Sequence, residues 1–182
     1  MAVPLELNSV ITCLAKAQTE LLSAADAVSA EEWKTRPGED RWSAAELVAH
    51  LMMVERAVIG KADRVAQHPP KRVSLLKRIH IPMALVERRW IRRKAPAPVE
   101  PGMLSDKEAM LAELRTVRER SLAFLEETRS RNLRDYYWKH PALGTLNTYE
   151  WMRFIASHEV RHTKQMREIS ASLPKPVESL QK

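Results

Sequence analysis

The sequence of 182 residues predicts an all-α protein, and more specifically a four-helix bundle. Four stretches carry apolar residues at the three- and four-residue spacing of a single helix face. Glycine is scarce, with 4 residues, and strand-like alternation of β-branched residues is nearly absent, so a sheet is not expected. The connections are short or moderate except for one long crossover between the second and third helices. An up-down-down-up bundle explains that spacing and places the second and fourth helices side by side.

The first helix is expected to run from about Pro4 to Val28, with the proline in the first turn. Its apolar stripe consists of Leu7, Val10, Ile11, Leu14, Ala17, Leu21 and Ala25. The second helix is expected to begin at Ser43, because Ser43 and Glu46 have the spacing of a capping box. It ends by Gln67, before two prolines that cannot continue a helix.

The third helix is expected to begin at Ser105, where Ser105 and Glu108 repeat the capping-box pattern, and to end near Arg129. The stretch from Arg131 to Asn147 is then a loop that leads into the fourth helix. This loop is rich in aromatic residues, which either line the mouth of a substrate site or close the end of the bundle.

The fourth helix, around Trp151 to Ile169, carries the strongest chemical signal. Asn147 and Thr148 are both plausible caps for it, and Asn147 has Glu150 three residues further on. His158 and His162 lie one turn apart on its apolar face. Their rings can converge on one ion, as imidazoles at positions i and i+4 do in helical zinc sites. The alternative is a pair of core histidines that form local hydrogen bonds.

A third candidate ligand, His50, occupies a core position on the second helix. A neutral imidazole buried there costs roughly 1–3 kcal/mol unless it is hydrogen-bonded or coordinated. Coordination of one cation by His50, His158 and His162 removes this cost for all three rings, whereas a satisfied core histidine is the alternative for His50 alone. The remaining histidines fall in loop or crossover segments and are left out of the metal site: His68, His80 and His140.

The segment His158 to His162, HEVRH, also satisfies the H-E-x-x-H pattern of metalloproteases, in which Glu159 would be the general base. The longer metzincin pattern requires glycine where Gln165 stands and histidine where Glu168 stands, and the sheet that precedes it in such proteases is missing. Glu159 is also turned about 100° around the helix from His158. We therefore expect a solvated or salt-bridged Glu159 and no protease activity.

Several short pieces of the chain form a recognisable set from its first third to near its end. They are Trp42-Ser43, Glu46, His50-Leu51, His140-Pro141 with Gly144, Trp151, His158, Arg161-His162 and Gln165. Together they resemble the DinB-like (YfiT-like) superfamily of metal-dependent hydrolases. The resemblance implies a four-helix bundle and a three-histidine site, carried here by His50, His158 and His162, for nickel, zinc or a similar divalent ion. Between Gln67 and Leu104 the chain matches nothing specific.

Family members with assigned activities include thiol-dependent transferases and isomerases. The resemblance therefore implies a metal-dependent hydrolase or a thiol-dependent S-transferase that acts on a small-molecule substrate. No cysteine ligand is evident, so a low-molecular-weight thiol would enter as a co-substrate. Three histidine ligands leave coordination positions open, which is typical of catalytic sites. The alternative is a non-catalytic metal- or ligand-binding bundle with a vestigial site; we also expect a homodimer.

The net charge of +7 comes from one segment, residues 71–94. It holds nine basic residues against one acid, Glu87, a balance of +8 that leaves −1 for the rest of the chain. The favoured interpretation is a basic crossover, between the second and third helices, whose apolar side packs on the bundle. An anionic membrane surface comes next, ahead of a subunit contact or a nucleic-acid contact. Nucleic acid is disfavoured because Trp90 alone offers a stacking platform there.

The single cysteine, Cys13, excludes an internal disulfide framework and fits a reducing compartment. We expect it to be a small buried side chain near the apolar face of the first helix. No apolar run reaches the ~18 residues that span a bilayer, and the N-terminus lacks the basic region of a signal peptide. These observations predict a cytoplasmic protein in which residues 1–182 form one domain and residues 173–182 a frayed tail.

Overall fold

The computed structural model describes residues 5–70 and 104–173, and these form a helical bundle as the sequence predicts. Its helices are α1 (Leu5–Asp26), α2 (Ala44–Ala66), α3 (Lys107–Glu127) and α4 (Thr148–Ser172). The basic segment 71–94 lies outside the described residues, as does the expected tail beyond Leu173. Within the described ranges, no helix combines the length and the apolar character that crossing a bilayer requires.

Capping boxes fix the first turns of the two helices that bear the candidate ligands. At α2, Ser43 Oγ accepts a hydrogen bond from Glu46 N at 3.2 Å, and Glu46 Oε2 accepts one from Ser43 N at 2.9 Å. At α4, Asn147 Oδ1 and Glu150 N form the corresponding bond at 3.1 Å, while Glu150 Oε2 accepts from Asn147 N at 2.7 Å. Both starts agree with the sequence-based prediction, because capping depends on residues three positions apart.

The predicted capping box at the start of α3 does not form. The N-cap is Asp106, without a side-chain cap bond, and the first helical hydrogen bond runs from Met110 N to its carbonyl at 2.9 Å. Ser105 therefore lies outside the helix. Contacts with the segment that follows α1 hold this start: Lys107 Nζ donates to the carbonyl of Val28 at 2.7 Å. A contact with a distant segment thus decides where α3 begins, which Ser105 and Glu108 were expected to decide.

The side-chain contacts between α2 and α3 show that these helices run in the same direction. Arg56 pairs with Glu113, and Asp63 pairs with Arg120 further along both helices. On each helix the two residues are seven positions apart, which is about two turns, so both pairs lie along the same side of the helix contact. The α2–α3 pair is consequently joined by charged contacts on its exposed side.

Helix α1 makes its most extensive contacts with α4. Glu6 lies 3.9 Å from Arg153 near the start of both helices, and Ser170 Oγ donates to the carbonyl of Ala27 at 3.0 Å near their ends. These two helices therefore also run in the same direction. Helix α2 contacts α4 as well, which brings the helices with the candidate ligands side by side. The expected up-down-down-up order is compatible with these contacts.

The expected stripe of α1 faces the core. All its members are buried except the partly exposed Ile11: Leu7, Val10, Leu14, Ala17, Leu21 and Ala25. Cys13, by contrast, is exposed, so its expected burial is wrong. A helix advances about 100° per residue, which turns Cys13 away from the stripe at neighbouring Leu14.

The stretch between α3 and α4, expected to be an irregular loop, folds into a short 3-10 helix and a β-hairpin. Strands β1 (Tyr137–His140) and β2 (Gly144–Asn147) pair antiparallel, with His140 opposite Gly144. Gly144 has a φ of 99°, a conformation that favours glycine and permits the tight connection. The four-residue strands are too short for an alternation signal, which is why the sequence pattern missed them.

The hairpin packs on α4 through two tryptophans. The rings of Trp138 and Trp151 stack with their centroids 4.9 Å apart, and Trp151 Nε1 donates to the carbonyl of Trp138 at 3.3 Å. This contact brings the end of β1, where the ring of His140 lies 5.0 Å from that of Trp151, close to the face of α4 that carries the candidate ligands.

Candidate metal centre

Three histidine side chains meet between α2 and α4. His50 Nε2 lies 3.4 Å from His158 Nε2, and His162 Nε2 lies 3.2 Å from the same atom. One ligand atom from each ring lies within 4.8 Å of the others. The three residues that the sequence singled out are therefore positioned to bind one metal ion.

The spacing of these nitrogens fits a shared ion. Histidine nitrogens bound about 2.0–2.1 Å from a tetrahedral zinc ion lie roughly 3.3–3.4 Å from one another. The two short Nε2–Nε2 distances in the structure, 3.2 and 3.4 Å, are close to this value. Hydrogen bonding cannot satisfy all three nitrogens, because each neutral imidazole has one N–H and one acceptor nitrogen. Two of the three nitrogen pairs therefore have the spacing expected of ligands that share one ion.

The outer nitrogen of His162 supports the same interpretation. His162 Nδ1 lies 3.1 Å from Gln165 Oε1, and an acceptor oxygen there places the proton on Nδ1 and the lone pair on Nε2. His50 Nδ1 is buried and has no hydrogen-bond partner within the described ranges. An ion on Nε2 would leave this Nδ1 without a partner as well, so the unpaired atom does not itself indicate a metal.

Burial keeps the rings of His50 and His158 neutral near pH 7. Burial lowers the pKa of His50 to about 4. Burial, followed by the neighbouring His162 and His50, holds the pKa of His158 well below its ordinary value. Only a neutral imidazole can donate a nitrogen lone pair to a metal, so this site is prepared for coordination at neutral pH.

A comparison with known protein families identifies the chain. The model of the DinB superfamily matches residues 14–166, a range that includes His50, His158 and His162. The chain belongs to the DinB superfamily. The resemblance noted in the sequence is thereby confirmed.

A curated relative extends the match along most of the DinB-superfamily chain. It is an uncharacterised protein, YuaE, from Bacillus subtilis (strain 168), and it is 27% identical over 161 residues. The aligned region covers 87% of this chain and 95% of YuaE. The similarity therefore extends over most of both chains.

Two aromatic side chains pack against the histidine cluster of this DinB-superfamily protein. Trp42 lies 4.8 Å from the ring of His50 and stacks on His162 at 6.0 Å. On the other side, Phe154 stacks on His158 with 5.4 Å between ring centroids. The two rings place apolar surface beside the histidines, and a less polar environment strengthens electrostatic interactions.

Glu159, the second residue of the HEVRH segment, does not join the cluster. Its carboxylate is buried, and Oε2 accepts a hydrogen bond from Arg118 Nη2 at 2.8 Å. The prediction of a salt bridge is therefore right, while a solvated side chain is ruled out. Burial raises the pKa of Glu159 to about 7, against the opposing effect of Arg118. Because its carboxylate is paired with Arg118 and lies outside the histidine cluster, Glu159 is not placed as the general base of a protease.

Sequence reasoning missed the rest of this buried polar network. Arg118 Nε donates to Glu55 Oε1 at 2.8 Å, and Ser121 Oγ donates to the same oxygen at 2.6 Å. Arg118 Nη1 donates to the carbonyl of Leu14 on α1. A signal was available, because Ser121 interrupts the apolar stripe of α3 one turn after Arg118. At that position the polar side chains of Arg118 and Ser121 on α3 bind Glu55 on α2.

His140 lies outside the metal cluster but close to it. Its ring centroid is 4.7 Å from that of Phe154, which in turn stacks on His158. The side chains placed to hold one ion are those of His50, His158 and His162, and His140 is not among them. The structure nevertheless brings it to the edge of the site, through a hairpin that the sequence did not predict.

Proposed function

We propose that this DinB-superfamily protein is a metal-dependent enzyme, a hydrolase or a thiol-dependent S-transferase. In this proposal His50, His158 and His162 hold a divalent ion. The observation that carries it is the convergence of three histidine Nε2 atoms, with those of His50 and His162 lying 3.4 and 3.2 Å from that of His158. Nickel or zinc is the proposed ion, because imidazole nitrogen suits both.

The three histidines would be the protein ligands of the ion, and its other coordination positions would be open to a substrate. Three protein ligands with further positions open are typical of catalytic sites, whereas structural zinc sites have four protein ligands. When bound, a divalent ion supplies Lewis acidity that polarises a carbonyl group or favours a thiolate. Trp42 and Phe154 pack against the rings of His50 and His158 and would form apolar walls beside the ion.

A thiol-dependent reaction would require a thiol from outside the chain. The one cysteine, Cys13, is exposed on α1, and none of the three grouped ligand atoms is a sulfur. A low-molecular-weight thiol is therefore the proposed co-substrate for the transferase reaction, and a small electrophile its partner. The hydrolase reaction would need only water and a small-molecule substrate.

A non-catalytic metal-binding bundle is the second candidate function. The composition of the cluster favours it. No aspartate or glutamate of the described ranges belongs to the histidine cluster, and the carboxylate of Glu159 is paired with Arg118. The cluster thus lacks a carboxylate that could serve as a general base. A cytoplasmic location, a homodimeric state and the membrane contact of residues 71–94 stay predictions.

The experiment that tests the proposal begins with metal content. The protein is purified without chelators, and bound metals are measured by mass spectrometry for the wild type and for His50→Ala, His158→Ala and His162→Ala. We expect about one ion per chain in the wild type and little in each variant. His68→Ala is the matched control, because His68 is exposed and lies beyond the end of α2.

Activity then separates the two candidate functions. The metal-loaded protein is assayed with a panel of thiols and small electrophiles, and with ester and amide substrates without thiol. Turnover that disappears in His158→Ala supports an enzyme. Background rates across the panel, with stoichiometric metal, would favour the non-catalytic bundle. A wild type without metal would contradict both.

A further inference from the structure

The side chain of His140 is held in one tautomer by the hairpin. Its Nδ1 accepts hydrogen bonds from Ala142 N at 3.0 Å and from Leu143 N at 3.1 Å. A nitrogen that accepts two N–H groups carries no proton, so the proton of the neutral ring sits on Nε2. The connection between β1 and β2 therefore fixes both the orientation of the ring and the position of its N–H donor.

This donor is available beside the histidine cluster. His140 is partly exposed, and Nε2 makes no hydrogen bond with any residue of the described ranges. The ring lies against Trp151 at 5.0 Å and Phe154 at 4.7 Å, and Phe154 stacks on the candidate ligand His158. An oriented polar group with no partner in the protein, held at the edge of an apolar site, is typical of a residue that orients a ligand.

We propose that His140 positions the substrate by donating its Nε2–H to a carbonyl or carboxylate oxygen of a ligand bound at the metal. This inference rests on the proposed function, because the ion anchors the other end of the ligand. It identifies the ligand class as a small molecule with a metal-binding atom and an oxygen acceptor a few bonds away. His140 acts here as a binding and positioning residue and holds no metal.

A role confined to the hairpin is the competing explanation, since Nδ1 already stabilises the connection. Two substitutions separate the two ends of the ring. His140→Asn keeps an acceptor near the position of Nδ1, and asparagine accepts turn N–H groups readily, but the distal donor is lost. His140→Gln carries an amide N–H near the position of Nε2 but loses the proximal acceptor. A hairpin role predicts the larger effect for His140→Gln, and ligand binding predicts it for His140→Asn.

The test uses the full-length protein loaded with cobalt(II), whose visible spectrum reports ligand exchange without any need for turnover. Each protein is titrated with 3-mercaptopropionate, a thiolate that carries a carboxylate, and with 1-propanethiol, which lacks it. For 3-mercaptopropionate we expect His140→Asn to raise Kd about tenfold, the loss of one hydrogen bond to a charged group. His140→Gln should stay within about threefold of the wild type, and propanethiol should bind all three proteins alike.

The possible results distinguish this inference from the proposed function. Stoichiometric cobalt with equal 3-mercaptopropionate affinity in the wild type and His140→Asn overturns the role of His140 alone. So does an equal loss for both thiols, or a larger loss in His140→Gln. A wild type that takes up no cobalt overturns the proposed site and this inference with it. Stoichiometric cobalt without a spectral change with either thiol overturns this inference and the thiol-dependent reaction, while the metal site stands.

Discussion

His50 Nε2 lies 3.4 Å from His158 Nε2 although 108 positions separate the two residues in the sequence. If one ion bridges these nitrogens, it ties α2 to α4, and removing it lowers stability. At a free metal concentration of about 100 times Kd, binding stabilises the folded state by about 2.7 kcal/mol. For a domain of this size, we expect chelation to lower Tm by about 5–10 °C, measured by circular dichroism.

The control for this prediction compares a variant that lacks a proposed metal ligand with a variant that keeps all three. His50→Ala should melt at the same temperature with and without chelator, whereas His68→Ala should keep the metal-dependent shift. An equal shift in His50→Ala would show that the ion binds elsewhere.

Gln165 is expected to tune metal affinity through His162. Its Oε1 lies 3.1 Å from His162 Nδ1, and such partners orient the ring and raise its basicity. Gln165→Leu should weaken metal binding about 10–100-fold in competition with a chromophoric chelator, while Gln165→Glu, which keeps the acceptor, should bind nearly as the wild type does. The exposed Arg167 provides a control, since Arg167→Ala should change nothing; comparable affinity in Gln165→Leu would contradict the assignment.

Arg118 is expected to be essential for stability. It is 2% exposed and pairs with Glu55 and Glu159, so Arg118→Met leaves two buried carboxylates without their cation. Breaking such a buried pair costs about 3–5 kcal/mol. Urea denaturation should show this loss, while Arg120→Met, which breaks exposed pairs, should cost less than about 1 kcal/mol. Similar losses in both variants would refute the difference between the buried and exposed pairs.

The two serines with capping-box spacing should differ in their effect on stability. Ser43 caps α2 through Glu46 N, whereas Ser105 lies outside α3 and is exposed. Ser43→Ala should cost about 1 kcal/mol, up to about 2, in urea denaturation. Ser105→Ala should stay within about 0.5 kcal/mol of the wild type, as surface substitutions do. An equal cost for the two changes would mean that α3 uses the serine cap in solution.

The metal-free protein should lose stability on acidification because of His50. The folded-state pKa of His50 is about 4, below the ordinary value of 6.5, so the unfolded chain binds more protons between these values. Stability is fully present above about pH 6.5 and falls as the pH drops towards 4, by up to about 3 kcal/mol. Urea denaturation of protein stripped of metal beforehand measures this loss at pH 7.5, 6, 5 and 4.

The variant His50→Gln provides the comparison for the pH series. It lacks the titrating ring, so its stability should fall less than that of the wild type over the same pH range. Parallel curves for the two proteins would show that burial does not hold the His50 ring neutral.

Much of the fold was predictable because the relevant contacts are local. Residues one turn apart decide which face of a helix is apolar, and this identified the buried stripe of α1 and the shared face of His158 and His162. Capping boxes at Ser43 and Asn147 depend on a residue three positions away, and both formed. The pairing of His50 with α4 needed one further step, the long crossover that favours α2 beside α4.

The sequence by itself thus determined the helices, their buried faces and the three histidines that meet. Only the tertiary structure decided that Arg118 reaches Glu55 and Glu159, and that Asp106 replaces Ser105 as the start of α3. It also placed His140, on a hairpin, beside the site. The physical reason is range: a helical period or a cap is set within about four residues, whereas an ion pair between helices depends on how distant segments pack.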